Sequence, residues 1–122
     1  MGERADQRRP GWVYDAGQEP DPRFSLANER TFLAWVRTSL GVLAGAVALE
    51  SLEVPEHDRL RLVLVVALLL FAGTMAVLAW LRWARVERAM RTHQPLPPFT
   101  LGIIVTGALV LATVLLVLAV AL

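Results

Sequence analysis

Residues 62–81 read LVLVVALLLFAGTMAVLAWL, twenty consecutive positions without a charged side chain. As a helix rising about 1.5 Å per residue, the run covers about 30 Å, the thickness of a bilayer's hydrocarbon core. Water is missing at that depth, so every backbone N–H and C=O must find its partner inside the segment, which a single run achieves only as a helix. Two further apolar stretches flank it. Phe99–Leu122 carries no charge, and Thr31–Leu49 carries one, Arg37. The fold class expected is an all-α integral membrane protein with three transmembrane helices, spanning about 31–49, 62–81 and 101–122.

The punctuation between the spans agrees. Pro55 ends the first helix inside the polar turn ESLEVPEHDRLR, and Asp58 is placed to cap the second. The second helix continues past the apolar run as RWARVERAMR until His93 and the Pro95, Pro97, Pro98 cluster stop it. Upstream, Ser25 or Asn28 is placed to cap the first helix, with Glu29 in its first turn beside the positive end of the helix dipole. Residues 1–23 mix charge with Gly and Pro and show no periodicity, so they are expected to be a flexible cytoplasmic tail ahead of a membrane domain over 24–122. Trp12 and Tyr14 in that tail read as an interfacial aromatic pair or a handle for a partner.

Orientation follows from arginine, the only basic residue type besides histidine in this chain. Arg23 and Arg30 precede the first span, and Arg82, Arg85, Arg88 and Arg91 follow the second. The turn between them has only Arg59 and Arg61, beside Glu50, Glu53, Glu56 and Asp58. The excess predicts a cytoplasmic N-terminus and an extracytoplasmic C-terminus, and Trp35, Trp80 and Trp83 fall at that same cytoplasmic interface. The localisation expected is the plasma (inner) membrane, multi-pass.

Enzyme chemistry finds no purchase. There is no cysteine, hence no thiolate site or nucleophile. His57 and His93 are expected on opposite sides of the membrane, and no phosphate loop or HExxH pattern occurs. No span interior carries a carboxylate of the kind a small proton-coupled exporter needs. The expectation is no enzyme, no catalytic residue, no metal, no cofactor and no nucleic-acid partner.

Arg37 is the informative residue. Without it the first span would shrink to Thr38–Leu49, about 18 Å and too short to cross, so Arg37 lies below headgroup level. An arginine at a helix centre costs roughly 2.5–3.5 kcal/mol on insertion scales. It either faces protein or water, or snorkels to the headgroups. Arg30, Ala34, Arg37, Gly41 and Gly45 fall on one helical stripe, and Gly41-x-x-x-Gly45 permits close helix approach. The stripe is read as a protein–protein or pore-facing surface, with packing of the first helix against the other two as the alternative. Arg82, Arg85, Arg88 and Arg91 are read as an anchor on lipid phosphates or as part of an anion-attracting mouth, and Glu87 is spaced to pair with Arg91 on its own helix.

Residues 23–49 carry Leu26-Ala27-Asn28-Glu29-Arg30-Thr31-Phe32-Leu33-Ala34-Trp35, followed by Arg37-Thr38. This segment resembles the signature of the YidH-like family of small inner-membrane proteins, a domain of unknown function. The family is similar in turn to the membrane modules of the eukaryotic vacuolar transporter chaperone complex, which makes polyphosphate and passes it across a membrane. There, three-helix units form a ring with first helices lining a channel. That resemblance implies that Arg23 and Arg30 sit at a basic mouth with Glu29 as acidic neighbour, and Arg82 or Arg85 matches more loosely. Arg37 does not match a basic position shared by all those relatives, so its pore role rests on span length and helix geometry.

The functional expectation is a non-enzymatic membrane protein that self-associates through its first helix as a homo-oligomer, pentamer-like by the resemblance, around an anion or polyanion pore for a phosphate- or polyphosphate-like species. The partners expected are the lipid bilayer, anionic lipid or polyanion, and further copies of the chain. The alternative is a scaffold or regulatory subunit of another membrane protein, without a pore.

Overall fold

Proline lacks a backbone donor, so it breaks a helix interior but is at home in a first turn, where that N–H would be unpaired anyway. The computed structural model describes residues 7–121, and Pro22 opens the first long helix in it. The element order is α1 (Gly11–Tyr14), α2 (Pro22–Ser51), α3 (Asp58–Arg91) and α4 (Thr100–Ala121), with no strand among the described residues. At 30, 34 and 22 residues, the three long helices measure about 45, 51 and 33 Å. All three are long and apolar enough to cross a membrane, as the sequence implies. The last ten residues of α3 extend beyond its apolar run, so an arginine-rich stub stands about 15 Å proud of the span.

Both helix starts differ from expectation. Asp21 caps α2, its carboxylate accepting from the Arg23 N–H at 2.9 Å, and Glu29 consequently lies two turns into the helix. His57 rather than Asp58 caps α3, with Nδ1 accepting from the Leu60 N–H at 3.3 Å. Arg61 draws the intervening turn together through Asp58 at 2.8 Å, Glu50 at 3.6 Å and the Pro55 carbonyl at 3.2 Å.

Ser25 and Asn28, freed from capping, tie α2 to α3. Glu87 of α3 is buried, and its two carboxylate oxygens accept from Ser25 Oγ at 2.6 Å and Asn28 Nδ2 at 3.2 Å. Asn28 also donates to the Trp83 carbonyl at 3.0 Å. Eleven residues deeper, buried Ser39 donates to the Ala72 carbonyl at 2.6 Å. Burial of a carboxylate is tolerated only when its oxygens are paired, and here α2 supplies the donors. The contact surface is small and close-packed, with Ala72, Met75 and Ala79 of α3 buried between the two anchors and Ala46 of α2 buried beyond Ser39. Small residues allow two membrane helices to approach closely, where dispersion replaces the hydrophobic effect that lipid removes. By contrast, α4 stands off from this pair. It keeps only Leu101 and Gly102 buried, and Phe99, just ahead of it, meets Trp35 of α2 with ring centroids 6.1 Å apart.

The N-terminal segment lacks periodicity, and in the structure it is docked by polar contacts to the stub of α3. Arg91 is the hub. Its Nε donates to the Ala16 carbonyl at 2.9 Å, one terminal nitrogen to the Tyr14 carbonyl at 2.7 Å and the other to Glu19 at 3.0 Å. Its own carbonyl accepts from the Gln18 N–H at 2.9 Å. Arg91 therefore does not pair with Glu87 along its own helix. Arg88 donates to the Trp12 carbonyl, Val13 is fully buried, and the Tyr14 ring lies tilted against that of Trp83, 6.2 Å between centroids. Trp12 and Tyr14 thus serve this docking, with Arg88 6.0 Å over the Trp12 ring and Arg91 5.6 Å over that of Tyr14. Gly17 has a positive φ of 54°, and a Cβ there would collide with the Arg91 carbonyl, so glycine is required for the turn.

Three outcomes are expected. Asn28→Leu strips Glu87 and the Trp83 carbonyl of a donor and should cost about 1–3 kcal/mol, read as a lower melting temperature of helicity in detergent. Thr31→Val, whose hydroxyl bonds only its own helix, should melt like the parent. Gly17→Ala should undock the segment, read as increased mobility of a nitroxide on exposed position 18. The third concerns pH. Hydrogen bonds from Arg8 and then Arg91 hold the Glu19 carboxyl at about 2, well below its ordinary 4.5. A depressed folded pKa gives stabilisation that is complete above the unfolded value and fades as pH falls toward the folded one. The same nitroxide should therefore stay immobile above pH 4.5 and loosen as the pH falls from there toward 2. Glu19→Gln should flatten that transition.

Candidate functional site: the outward face of α2

The two anchors on α3 fix how α2 is rotated about its axis, and so decide which residues face away. With about 100° per residue, Asn28, Ser39 and Ala46 define the α3-facing side. Arg30, Ala34, Arg37, Gly41 and Gly45 lie roughly 150° around from it. All five are exposed, and nothing lies within 4 Å of where a Cβ would stand on Gly41 or Gly45. The glycine stripe therefore does not serve packing within the chain. The α2–α3 contact uses the opposite side, so the intramolecular reading is overturned.

Arg23 joins the same line. Arg23, Arg30 and Arg37 recur every seven residues, about 10 Å apart along the axis. Arg23 chelates its own cap, with guanidinium nitrogens 2.9 and 3.3 Å from the Asp21 carboxylate. Arg30 and Arg37 have no hydrogen bond or ion pair to any described residue. Pairing Asn28 with Trp83 and Ser39 with Ala72 sets the antiparallel register. That register puts Arg30 level with Leu81, at the end of the apolar run, and Arg37 level with Thr74. Arg37 thus lies about 10 Å inside the run, the depth that the length of the first span implies. Glu29 is also exposed, one position off this line.

A feature not recognised in the sequence runs beside the arginines. Leu26, Leu33, Leu40 and Val47 recur every seven residues, are 55%, 57%, 58% and 56% exposed, and lie about 70° around from the arginine line. Taken together, the two lines alternate by three and four residues, the seam of a left-handed helix pair. Leucines along an apolar span give no contrast with their neighbours, so this pattern becomes visible only once the α3-facing residues are removed from consideration.

Arg82 and Arg85, grouped with the α2 arginines on sequence grounds, are elsewhere. They line a cleft between α3, the Pro97–Pro98 loop and the start of α4. Arg88 and Arg91 are engaged with the N-terminal segment. The arginine-rich end of α3 is therefore two separate arrangements, both distinct from the α2 line.

Comparison with known proteins gives a consistent family. The model of a domain of unknown function, DUF202, matches residues 23–89. The inner membrane protein YidH of Escherichia coli K12 is 52% identical over 83 residues, 66% of this chain and 71% of that protein. The uncharacterized protein Rv2272 of Mycobacterium tuberculosis H37Rv is 52% identical over 106 residues, 84% of this chain and 86% of the relative. No solved structure matches. The matched residues contain α2, the turn and nearly all of α3, including both anchors and the outward arginine line, and the chain belongs to the DUF202 family, as a YidH-like, multi-pass inner-membrane protein.

Proposed function

We propose that the protein is a non-enzymatic membrane subunit that self-associates through α2, its N-terminus in the cytoplasm, around a path for an anion or polyanion. The observation that carries this reading is the outward face of α2. Three arginines at heptad spacing and two bare glycines point away from the rest of the chain, and one of the arginines lies at membrane depth. A lone guanidinium facing lipid is costly, and one facing a water-filled lumen is not. In a ring of first helices, each helix turns one line inward and packs its flanks on neighbours. Arg23, Arg30 and Arg37 suit the lumen, and the Leu26, Leu33, Leu40 and Val47 line suits a flank. Interactions of such an interface come from close packing rather than burial from water. The resemblance to the ring-forming modules of the vacuolar transporter chaperone complex implies the same arrangement, with Glu29 beside the mouth and a phosphate-like species as cargo.

Native mass spectrometry from mild detergent should find a closed assembly of about four to six copies. Reconstituted vesicles should then show an anion leak that Arg30→Ala with Arg37→Ala abolishes. A monomer or dimer would reject the ring, and an unchanged leak would reject the arginine-lined path. A cross-link from Gly41→Cys or Gly45→Cys to a different protein would favour a scaffold or regulatory subunit without a pore.

A further inference from the structure

Away from the α2 face, α3 and α4 diverge and leave two openings on one side of the molecule. At the arginine-rich end, a cleft of about 200 Å³ is lined by Arg82, Arg85, Pro97, Pro98 and Thr100, with Leu101 at its base. Deeper along the same two helices, a groove of about 320 Å³ is lined by Leu68 and Phe71 of α3 and Val105 and Ala108 of α4, among others, and is closed on one flank by Thr38 and Val42 of α2. The two are stacked. Ile104 of α4 borders the first and Val105 the second, and on α3 the gap from Leu78 to Phe71 is about 10 Å. On α3 the groove lies roughly 90° and the cleft roughly 130° around, in the same direction, from the residues that pack on α2.

The upper cleft has unmet polar demand. Arg82 Nε is buried without a hydrogen-bond partner, and neither Arg82 nor Arg85 makes an ion pair or hydrogen bond to a described residue. A buried donor left unpaired costs more than a typical hydrogen bond returns, and in native structures it marks a water or ion. Trp80 and Trp83 lie tilted against each other beside this level, 6.3 Å between centroids, at the headgroup boundary that indoles prefer. The lower groove is apolar apart from Thr38, whose hydroxyl is already bonded to the Ala34 carbonyl. A fork of guanidinium donors above an apolar slot, at headgroup and acyl depth respectively, matches one amphiphile.

We propose that the α3–α4 face is a binding site for an anionic phospholipid, with its phosphate on Arg82 and Arg85 and an acyl chain in the groove between Leu68 and Ala108. Planar guanidinium groups recognise phosphate oxygens by paired, charge-assisted hydrogen bonds. Two unneutralised arginines favour a headgroup of net negative charge. The lipid fills the space that α4 leaves by standing off, and so fastens α4 to the α2–α3 pair. This site uses none of the arginines or glycines of the outward α2 line.

The test uses the full chain, delipidated in mild detergent and titrated with phosphatidylglycerol, phosphatidylcholine or inorganic phosphate under native mass spectrometry. Phosphatidylglycerol should bind and should raise the melting temperature, and inorganic phosphate should do neither. Arg82→Gln with Arg85→Gln should weaken phosphatidylglycerol binding by about tenfold or more. Ala108→Trp, which fills the groove and leaves both arginines, should weaken it likewise, so the idea stays testable if the arginine variant fails to fold. Equal binding of both lipids, or unchanged binding in either variant, overturns the proposal. Binding of inorganic phosphate that Ala108→Trp leaves intact would make the cleft a free-anion site instead. A cross-link between Leu68→Cys of one copy and Ala108→Cys of another, formed in place of lipid, would give the groove to a second chain.

Discussion

The buried carboxylate of Glu87 is the constraint from which the rest of the arrangement follows. A carboxylate removed from water must find donors, and both of its oxygens find them on α2, at Ser25 and Asn28. With Ser39 on the Ala72 carbonyl, α2 is held at two heights about 16 Å apart. Two fixed points set the register and the rotation of one helix on another. Turned any other way, α2 would leave Glu87 unpaired. Held this way, it must present Arg30, Arg37, Gly41 and Gly45 outward.

The same end of α3 shows how one run of arginines is divided by neighbours rather than by spacing. Arg82, Arg85, Arg88 and Arg91 come at three-residue intervals and so wind around the helix instead of forming a face. Arg91 and Arg88 turn toward the N-terminal segment and satisfy its carbonyls, a task for which five fixed donors suit a guanidinium better than an ammonium. Arg82 and Arg85 turn toward α4 and find no acceptor among the described residues. A basic cluster that hydropathy treats as one anchor is thus partly a structural clasp and partly unfilled valence.

Docking of residues 8–19 also gives the molecule an element with no apolar period of its own. Apart from Val13, its attachment is made of backbone carbonyls, aromatic rings and the shared carboxylate of Glu19. Polar attachment of this kind responds to pH and salt.

The three long apolar helices were legible in the sequence because hydrocarbon thickness and helix rise are fixed quantities, and a chain either meets them or does not. The stripe on α2 was also legible, since residues four and seven apart share a helical face whatever surrounds them. Which way that face points was not. Rotation depends on Glu87 pairing with Ser25 and Asn28 across about sixty residues of sequence, and a local reading assigned those two side chains to capping a helix that Asp21 in fact caps. The docking of the N-terminal segment was hidden for the same reason, because its partner Arg91 lies more than seventy residues away and the segment itself has no repeating pattern. Sequence alone determined what must lie in the bilayer; the tertiary pairing of a few buried polar groups decided what faces out of it, because each such group has to be satisfied and only one rotation of α2 does so.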